Sequence, residues 1–155
     1  MTMDNEIDPK LEFKIATKED LAILNALYAD MYDRDLMPEQ KISELWYQIQ
    51  QVPEYNIYLA YFDKLAIGTF SLILLPTMIY PGFHKSAILD VVTIHSNYRG
   101  KSFGTQMIKK ALSISANAGC YKVTLSSNLK RDRAHRFYKS LGFRQHGWSF
   151  SYQFQ

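Results

Sequence analysis

The chain has 155 residues, which suits one compact domain, and 47% of them are hydrophobic, which excludes an intrinsically disordered protein. The formal net charge is +3, and no block of like charge resembles a nucleic-acid-binding arm, so we expect no nucleic-acid partner. The single cysteine, Cys120, excludes an intrachain disulfide and a cysteine-based metal site, and the four histidines lack the spacing of metal ligands.

The amino-terminal part is predicted to be a flexible tail over residues 1–9, followed by a strand over residues 11–15. The tail does not read as a signal peptide, and no apolar run approaches the length of a membrane span, so we expect a cytoplasmic protein without membrane contact. A capping-box pattern at Thr17 and Asp20 predicts a helix through about Met31. A second helix is predicted from Pro38 to about residue 51.

The rest of the chain alternates strand and helix patterns. Helices are predicted over residues 106–118 and 132–140, each closed by a glycine, Gly119 and Gly142. Strands are predicted over residues 57–62, 65–75, 86–94, 121–126, 143–145 and 148–154, with a tight Asp63-Lys64 turn between the first two. This order predicts a mixed α/β layer with antiparallel strands first and a parallel crossover in the middle.

The loop between the strand at 86–94 and the next helix has the features of an anion site. It reads Arg99-Gly100-Lys101-Ser102-Phe103-Gly104. Glycines allow the backbone to approach a ligand closely, and the first amides of a helix attract negative charge. The loop is neither Gly-x-Gly-x-x-Gly nor a P-loop, so a phosphate or pyrophosphate would be bound in another way.

A second motif, 134–143, contains Phe137-Tyr138 and ends in Gly142-Phe143. The two motifs, in this order and at this spacing, resemble those of the GCN5-related N-acetyltransferase (GNAT) family. The resemblance implies one acyl-CoA N-acyltransferase domain over residues 10–155. Its sheet would be mixed, mostly antiparallel and of six to seven strands, flanked by about four helices.

The resemblance also implies an enzyme that transfers the acetyl group of acetyl-CoA to the primary amine of a small molecule, by direct attack in a ternary complex. Tyr138 would be the general acid for the CoA thiolate. The fourth strand would bulge and separate from the fifth, so that its backbone binds the pantetheine arm. The residues that the resemblance assigns to the cofactor are Val91, Val92, Thr93, Arg99, Gly100, Lys101, Ser102, Phe103, Gly104, Thr105, Asn128, Arg133, Arg136 and Phe137.

Some assignments stay open at this point. Ser102 stands where the family usually has glycine; its hydroxyl could donate to a phosphate oxygen, or the tighter loop could weaken CoA affinity. For Asn128, Arg133 and Arg136, a solvated surface role is an equal alternative. Asp90 is the first candidate for the general base, with a structural, turn-capping carboxylate as the alternative. His84 is the second candidate, because histidine titrates near neutral pH.

The acceptor would lie against the first two helices and the loop before the fourth strand. We expect it to contact Tyr28, Tyr32, Tyr80 and His84, whose acidic and aromatic surroundings suit a cationic amine such as an aminosugar, a polyamine or a lysine-like group. Alternative functions are a protein or peptide N-acetyltransferase and a non-catalytic acyl-CoA-binding sensor.

The aromatic residues of the last predicted strand alternate at period two. Family members often dimerise through their carboxyl-terminal strands, so these residues either pack in the core, which is the usual fate of such a face, or form a homodimer contact. They are Trp148, Phe150, Tyr152 and Phe154.

Overall fold

The computed structural model describes residues 9–79, 81–82 and 84–154. These residues form five strands and four α-helices. The strands are β1 Glu12–Ile15, β2 Tyr55–Phe62, β3 Leu65–Pro76, β4 Lys85–Ile94 and β5 Cys120–Thr124. The helices are α1 Leu21–Tyr32, α2 Glu39–Gln50, α3 Phe103–Asn117 and α4 Asp132–Ser140.

The strands form one mixed sheet in the order β1-β2-β3-β4-β5. All neighbours are antiparallel except β4 and β5, which α3 connects as a parallel crossover. The β2–β3 turn has Asp63 and Lys64 at φ +46° and +65°, as a tight two-residue hairpin requires. The mixed α/β prediction is therefore confirmed.

The predicted strand count of six to seven is wrong for the described residues, where the sheet has five strands. Residues 143–145 and 148–154 form no strand there. The aromatic residues of this segment were expected to line one face of a strand, but the segment forms no strand, so their alternation creates no face. Their side chains are exposed instead, namely Trp148, Phe150, Tyr152 and Phe154.

The contacts divide the chain into two compact units, one up to Thr124 and one from Leu125 onward. The first contains the sheet with α1, α2 and α3, and the second contains α4 and the segment that follows it. Helix α4 has the predicted bounds. No helix in the described parts of either unit is long and apolar enough to cross a membrane.

Helices α1 and α2 lie on one face of the sheet. Leu24 and Leu27 of α1 pack with Leu59 of β2 in a buried cluster. Helix α1 follows a turn of 3-10 helix, whose predicted capping box is present: Asp20 Oδ2 accepts a hydrogen bond from Thr17 N at 2.9 Å. Helix α2 is different, since none of its residues is fully buried.

Helix α3 packs on the opposite face, against β3, β4 and β5. Gly68 of β3 makes this packing possible: a Cβ there would lie 2.9 Å from Met107 Sδ of α3 and 2.9 Å from Thr93 O of β4. The side chain of Phe103, the first residue of α3, is buried and packs on Phe62 with ring centroids 5.0 Å apart. The start of α3 is thereby fixed relative to the sheet.

Candidate active site

Strand β4 carries a β-bulge where it pairs with β3, the central strand of the sheet. Thr69 pairs with Thr93 and Ser71 with Asp90, so two residues of β4 stand opposite one residue of β3. One of the two, Val91, has φ +47°, a left-handed conformation that is rare for a β-branched residue. The predicted bulge in the fourth strand is therefore present.

The same strand extends beyond the end of its parallel neighbour. Pairing between β4 and β5 runs from Lys85–Cys120 to Ile88–Thr124, where β5 ends, while β4 continues to Ile94. The part of β4 after Ile88 therefore has an edge that β5 does not occupy. An extended ligand can bind a strand edge of this kind through backbone hydrogen bonds.

Polar side chains lie beside the bulge, on the sheet face that α1 covers. The Ser71 hydroxyl donates to Asp90 O at 3.1 Å, and Asp90 Oδ1 accepts from Val91 N at 2.8 Å. Thr69 is fully buried, and no group of the described residues reaches its hydroxyl with standard hydrogen-bond geometry. The Asp90 side chain is exposed at this point, so a ligand can reach it.

Tyr28 of α1 faces this polar group. Burial raises the pKa of Tyr28 to about 12, a contact with the Thr69 hydroxyl opposes the rise, and the charges of Tyr55, Tyr32 and Asp90 add to it. The Tyr28 phenol is therefore neutral at physiological pH and can donate a hydrogen bond. Of the predicted acceptor residues, Tyr28 thus lies within electrostatic reach of Asp90, the predicted base, and Tyr32 within electrostatic reach of Tyr28.

His84 is not brought to this place. It lies exposed immediately before β4, and its carbonyl oxygen accepts from Thr77 N at 2.8 Å. Asp90 lies six residues further along the strand, which is about 20 Å at the usual rise per residue. Tyr80, the remaining acceptor residue of the prediction, lies outside the described residues.

The loop after β4 is held to helix α1 by Asp30. Its two carboxylate oxygens accept from the Ser96 hydroxyl at 2.6 Å and from Ser96 N at 2.9 Å. The Arg99 guanidinium donates to Asp30 Oδ2 at 3.3 Å and, through Nε, to Ile94 O at 2.9 Å, while His95 Nε2 lies 3.8 Å from Asp30 Oδ1. The Ser96 hydroxyl is the largest cause of the lowered Asp30 pKa.

The remainder of the loop leads into α3. Gly100 and Ser102 both have left-handed backbones, with φ +79° and +61°, and Lys101 Nζ lies 5.8 Å from the Tyr98 ring centroid. Phe103, Gly104 and Thr105 form the first turn of α3. Their backbone amides come before the amide of Gln106, which donates a hydrogen bond to Ser102 O within the helix. Because the Phe103 side chain is in the core, only its backbone can serve a ligand.

The second unit contains the other predicted residues. The Tyr138 ring lies between those of Phe137 and Phe143, at centroid distances of 5.3 and 5.7 Å. Tyr138 O accepts from Phe143 N at 3.1 Å, where Gly142 turns the chain at φ +91°. Asn128 Oδ1 accepts from Lys130 N at 2.9 Å within a turn.

Two further predicted cofactor residues, Arg133 and Arg136, are exposed on α4.

Across the described part of the chain, no group of three or more His, Cys, Asp or Glu side chains could hold a metal ion.

Sequence reasoning missed two features of this site. Asp30 lies in the last turn of α1, where the helix dipole disfavours a carboxylate, and this position could have indicated a partner outside the helix. Thr69 and Ser71 are hydroxyl residues within an otherwise apolar strand, which could have indicated a polar surface at the sheet centre.

Comparison with known proteins agrees with the resemblance to the GNAT family. The model of the acetyltransferase (GNAT) family matches residues 21–143. A segment of 63 residues is 30% identical to glucosamine 6-phosphate N-acetyltransferase 1 of Dictyostelium discoideum, and this match spans 41% of the chain and 38% of the relative.

Solved structures share the fold. A protein from Bacillus halodurans described as a transcriptional regulator superposes with a TM-score of 0.83 at 22% identity, over 94% of this chain and all of that one (100%). An aminoglycoside N-acetyltransferase in complex with CoA superposes with a TM-score of 0.76 at 16% identity, over 94% of this chain and 95% of that one. The chain therefore belongs to the acetyltransferase (GNAT) family, and its predicted enzyme class, an acetyltransferase, and acyl donor, acetyl-CoA, are confirmed.

Proposed function

We propose that this acetyltransferase acts on the primary amine of a small molecule, by direct attack while both substrates are bound, and that residues 10–155 act as one catalytic domain. The observation that carries the proposal is the position of Asp90. This exposed carboxylate lies at the bulge of β4, beside Tyr28, on the strand that leads directly into the candidate anion loop. One strand therefore connects an acceptor site with a donor site.

The residues of β4 and α3 fit the acyl donor. When bound, acetyl-CoA supplies an acetyl thioester that an amine can attack. The backbone of residues 91–93, on the part of β4 that does not pair with β5, would hold the pantetheine arm. The first amides of α3, with Gly100 and Ser102 turning the backbone before them, would hold the pyrophosphate.

Asp90 has the chemistry required of a general base. An alkylamine is largely protonated near neutral pH and must lose a proton before it can attack. Asp90 Oδ1 accepts a hydrogen bond from Val91 N, so the acceptor ammonium would bind the other carboxylate oxygen, Oδ2. The carboxylate would take the amine proton, directly or through water, or orient the amine.

Tyr138 is proposed as the general acid. A tyrosine hydroxyl carries a proton that it can donate to the developing thiolate. The ring contacts with Phe137 and Phe143, and the hydrogen bond from Phe143 N to Tyr138 O, fix the position of this residue within the second unit. A fixed donor loses less entropy in the transition state than a mobile one.

The relatives support a small-molecule acceptor. Glucosamine 6-phosphate N-acetyltransferase 1 and the aminoglycoside N-acetyltransferase are both named for small amines. Acidic and aromatic residues at the end of α1, including Tyr32 and Asp33, suit a cationic acceptor. By these observations a small amine is favoured over a protein substrate.

The test is thiol release from acetyl-CoA with a panel of small primary amines and a panel of lysine-containing and free amino-terminal peptides. Amine-free reactions measure background hydrolysis, and mass spectrometry identifies the acetylated product. We expect amine-dependent release with at least one small amine. Release with peptides alone would contradict the small-molecule acceptor, and CoA binding without release on any amine would indicate a non-catalytic sensor.

A further inference from the structure

A cavity of about 170 Å³ lies between α1, α2 and the sheet. Its walls include Leu24 of α1, Leu45 and Trp46 of α2, and Ile57 of β2. The other wall residues are also mostly apolar, and Arg34 is the charged residue among them. The lining therefore suits a hydrocarbon group better than a polar one.

Helix α2 covers this cavity without filling it. The apolar side chains on its inner side, among them Ile42, Trp46 and Ile49, are only partly buried. The connection between α1 and α2 is fixed by Asn25, whose side chain donates to Met37 O at 2.7 Å and accepts from Met37 N at 2.9 Å. The space is therefore bounded by an anchored connection, while its walls keep apolar surface that a ligand could cover.

Tyr28 joins the cavity to the proposed acceptor site. Its side chain forms part of the cavity wall, and its helix packs against β3 and β4, the strands that carry Thr69 and Asp90. An amine held at Asp90 would therefore have its substituent directed past Tyr28. Acetyl transfer itself needs no apolar space of this kind, so the acceptor is the candidate occupant.

We propose that this cavity receives the apolar part of the acceptor, and that the preferred substrate is a primary amine carrying a group of about the size of a benzene ring. The volume fits, since an apolar cavity of about 150 Å³ holds benzene. The inference rests on the proposed function and narrows its substrate class. Burying such a group favours the amine over ethylamine by roughly 10- to 100-fold in kcat/KM.

A sugar phosphate is a poor occupant by the same reasoning. Its hydroxyl groups would lose hydrogen bonds to water and find few partners in this lining. Arg34 is exposed, and one of its guanidinium nitrogens donates to Asp35 O at 2.8 Å. Glucosamine 6-phosphate is therefore expected to be a weak acceptor for this chain.

The first experiment compares kcat/KM for 2-phenylethylamine, ethylamine and glucosamine 6-phosphate by thiol release from acetyl-CoA. We expect 2-phenylethylamine to be preferred over ethylamine by about tenfold or more. Turnover with a preference for glucosamine 6-phosphate or ethylamine would leave acetyl transfer standing and overturn the inference. If no amine of the panel supported thiol release, both the proposed function and the inference would be overturned.

Two matched variants on α2 locate the effect. Leu45→Trp fills the cavity and should lower kcat/KM for 2-phenylethylamine about tenfold, while kcat/KM for ethylamine changes less than twofold. Gln48→Trp, on the exposed side of the same helix, is the control and should change neither. Equal loss for both amines in Leu45→Trp, with unfolding temperature unchanged, would contradict the cavity assignment.

Because added bulk can destabilise a packed region, a second variant and a binding measurement complete the test. Ile49→Ala enlarges the cavity and should shift preference toward a naphthyl amine. Trp46 lines the cavity, so its fluorescence in a Trp148→Phe background should respond to 2-phenylethylamine. No response at millimolar amine would overturn the inference whatever the turnover.

Discussion

The Asp30 carboxylate accepts two hydrogen bonds from Ser96, one from its hydroxyl at 2.6 Å and one from its backbone amide at 2.9 Å. Asp30 belongs to α1 and Ser96 to the loop that follows β4. A residue of the helix that covers the proposed acceptor site therefore sets the position of the loop proposed to bind the donor. Arg99 reinforces the link through Asp30 Oδ2, so much of its positive charge is already compensated.

Replacement of Asp30 tests whether this link positions the loop. We expect Asp30→Ala to raise KM for acetyl-CoA about three- to tenfold, because each hydrogen bond lost contributes about 1 kcal/mol, while KM for the amine changes little. Asp35→Ala, an exposed residue beyond the same helix, is the control. A lower KM for acetyl-CoA would show instead that Asp30 competes with phosphate for Arg99.

The same variant has a pH signature. The pKa of Asp30 is lowered in the folded protein, chiefly by the Ser96 hydroxyl, so its stabilising effect is present above the unfolded value near 4 and is lost as pH falls through the lowered pKa. Urea unfolding at about pH 7 and about pH 3 should therefore show wild type and Asp30→Ala converging at the acidic pH. A difference that is constant with pH would contradict this account.

Asp90 can be tested by separating its two roles. Asp90→Asn retains an oxygen that can accept from Val91 N but removes the carboxylate, so kcat should fall roughly 100-fold with CoA affinity and urea stability unchanged. Asp90→Ala also removes the acceptor and should cost a further 0.5–1.5 kcal/mol, approximately, in unfolding free energy. Full activity in Asp90→Asn would show that the Asp90 side chain only stabilises the bulge and does not act as the general base.

Ser102 is expected to be strained. A left-handed backbone costs an L-residue roughly 1–2 kcal/mol, and the extra chain entropy of glycine offsets about 0.4–1 kcal/mol of the gain. Ser102→Gly should therefore raise the unfolding free energy by on the order of 0.5 kcal/mol, with CoA affinity maintained. Ser113→Gly, the same exchange on the exposed side of α3, should lower it by about 0.5–1 kcal/mol.

Gly68 is expected to tolerate no side chain. A Cβ at this position would lie 2.7 Å from Ile94 Cδ1 and 2.9 Å from the rigid Thr93 carbonyl oxygen. We expect Gly68→Ala to cost about 1–3 kcal/mol in urea unfolding and to disturb the bulge. Gly147→Ala is the control, because a Cβ there meets no atom within 4 Å. Equal free energies of unfolding for the two variants would mean that β3 and β4 can move to accommodate the added methyl group at no energetic cost.

Tyr138→Phe tests the proposed acid. It removes one hydroxyl and leaves the ring contacts with Phe137 and Phe143, so the protein should still fold, which an unfolding curve checks. We expect kcat with the best amine to fall roughly 100-fold. Tyr47→Phe, an exposed tyrosine of α2, controls for loss of a phenol elsewhere. Unchanged turnover in Tyr138→Phe would exclude it as the acid.

Local patterns predicted the elements that depend on neighbouring residues. The capping box of Thr17 and Asp20, the Asp63-Lys64 turn and the bounds of α4 each follow from a few adjacent side chains and a local backbone preference. The resemblance supplied the bulge in β4, which no local pattern contains.

Contacts between distant residues were beyond local patterns. Asp30 and Ser96 meet only once α1 is folded onto the sheet, and the space under α2 depends on how tightly two helices pack. Strand alternation failed at residues 148–154 because period two indicates a face only where a neighbouring strand exists to cover it. The side chains of a segment do not by themselves determine whether another strand lies beside it.

Helix α1 presents Tyr28 to the cavity and Asp30 to the loop after β4. If one ligand orders this helix by binding to one side of it, the other ligand causes a smaller loss of conformational entropy when it binds. Such linkage is reciprocal: if an apolar amine tightens CoA binding by some factor, CoA must tighten amine binding by the same factor. The two substrates are then cooperative through helix α1, in addition to the contact between their reacting groups.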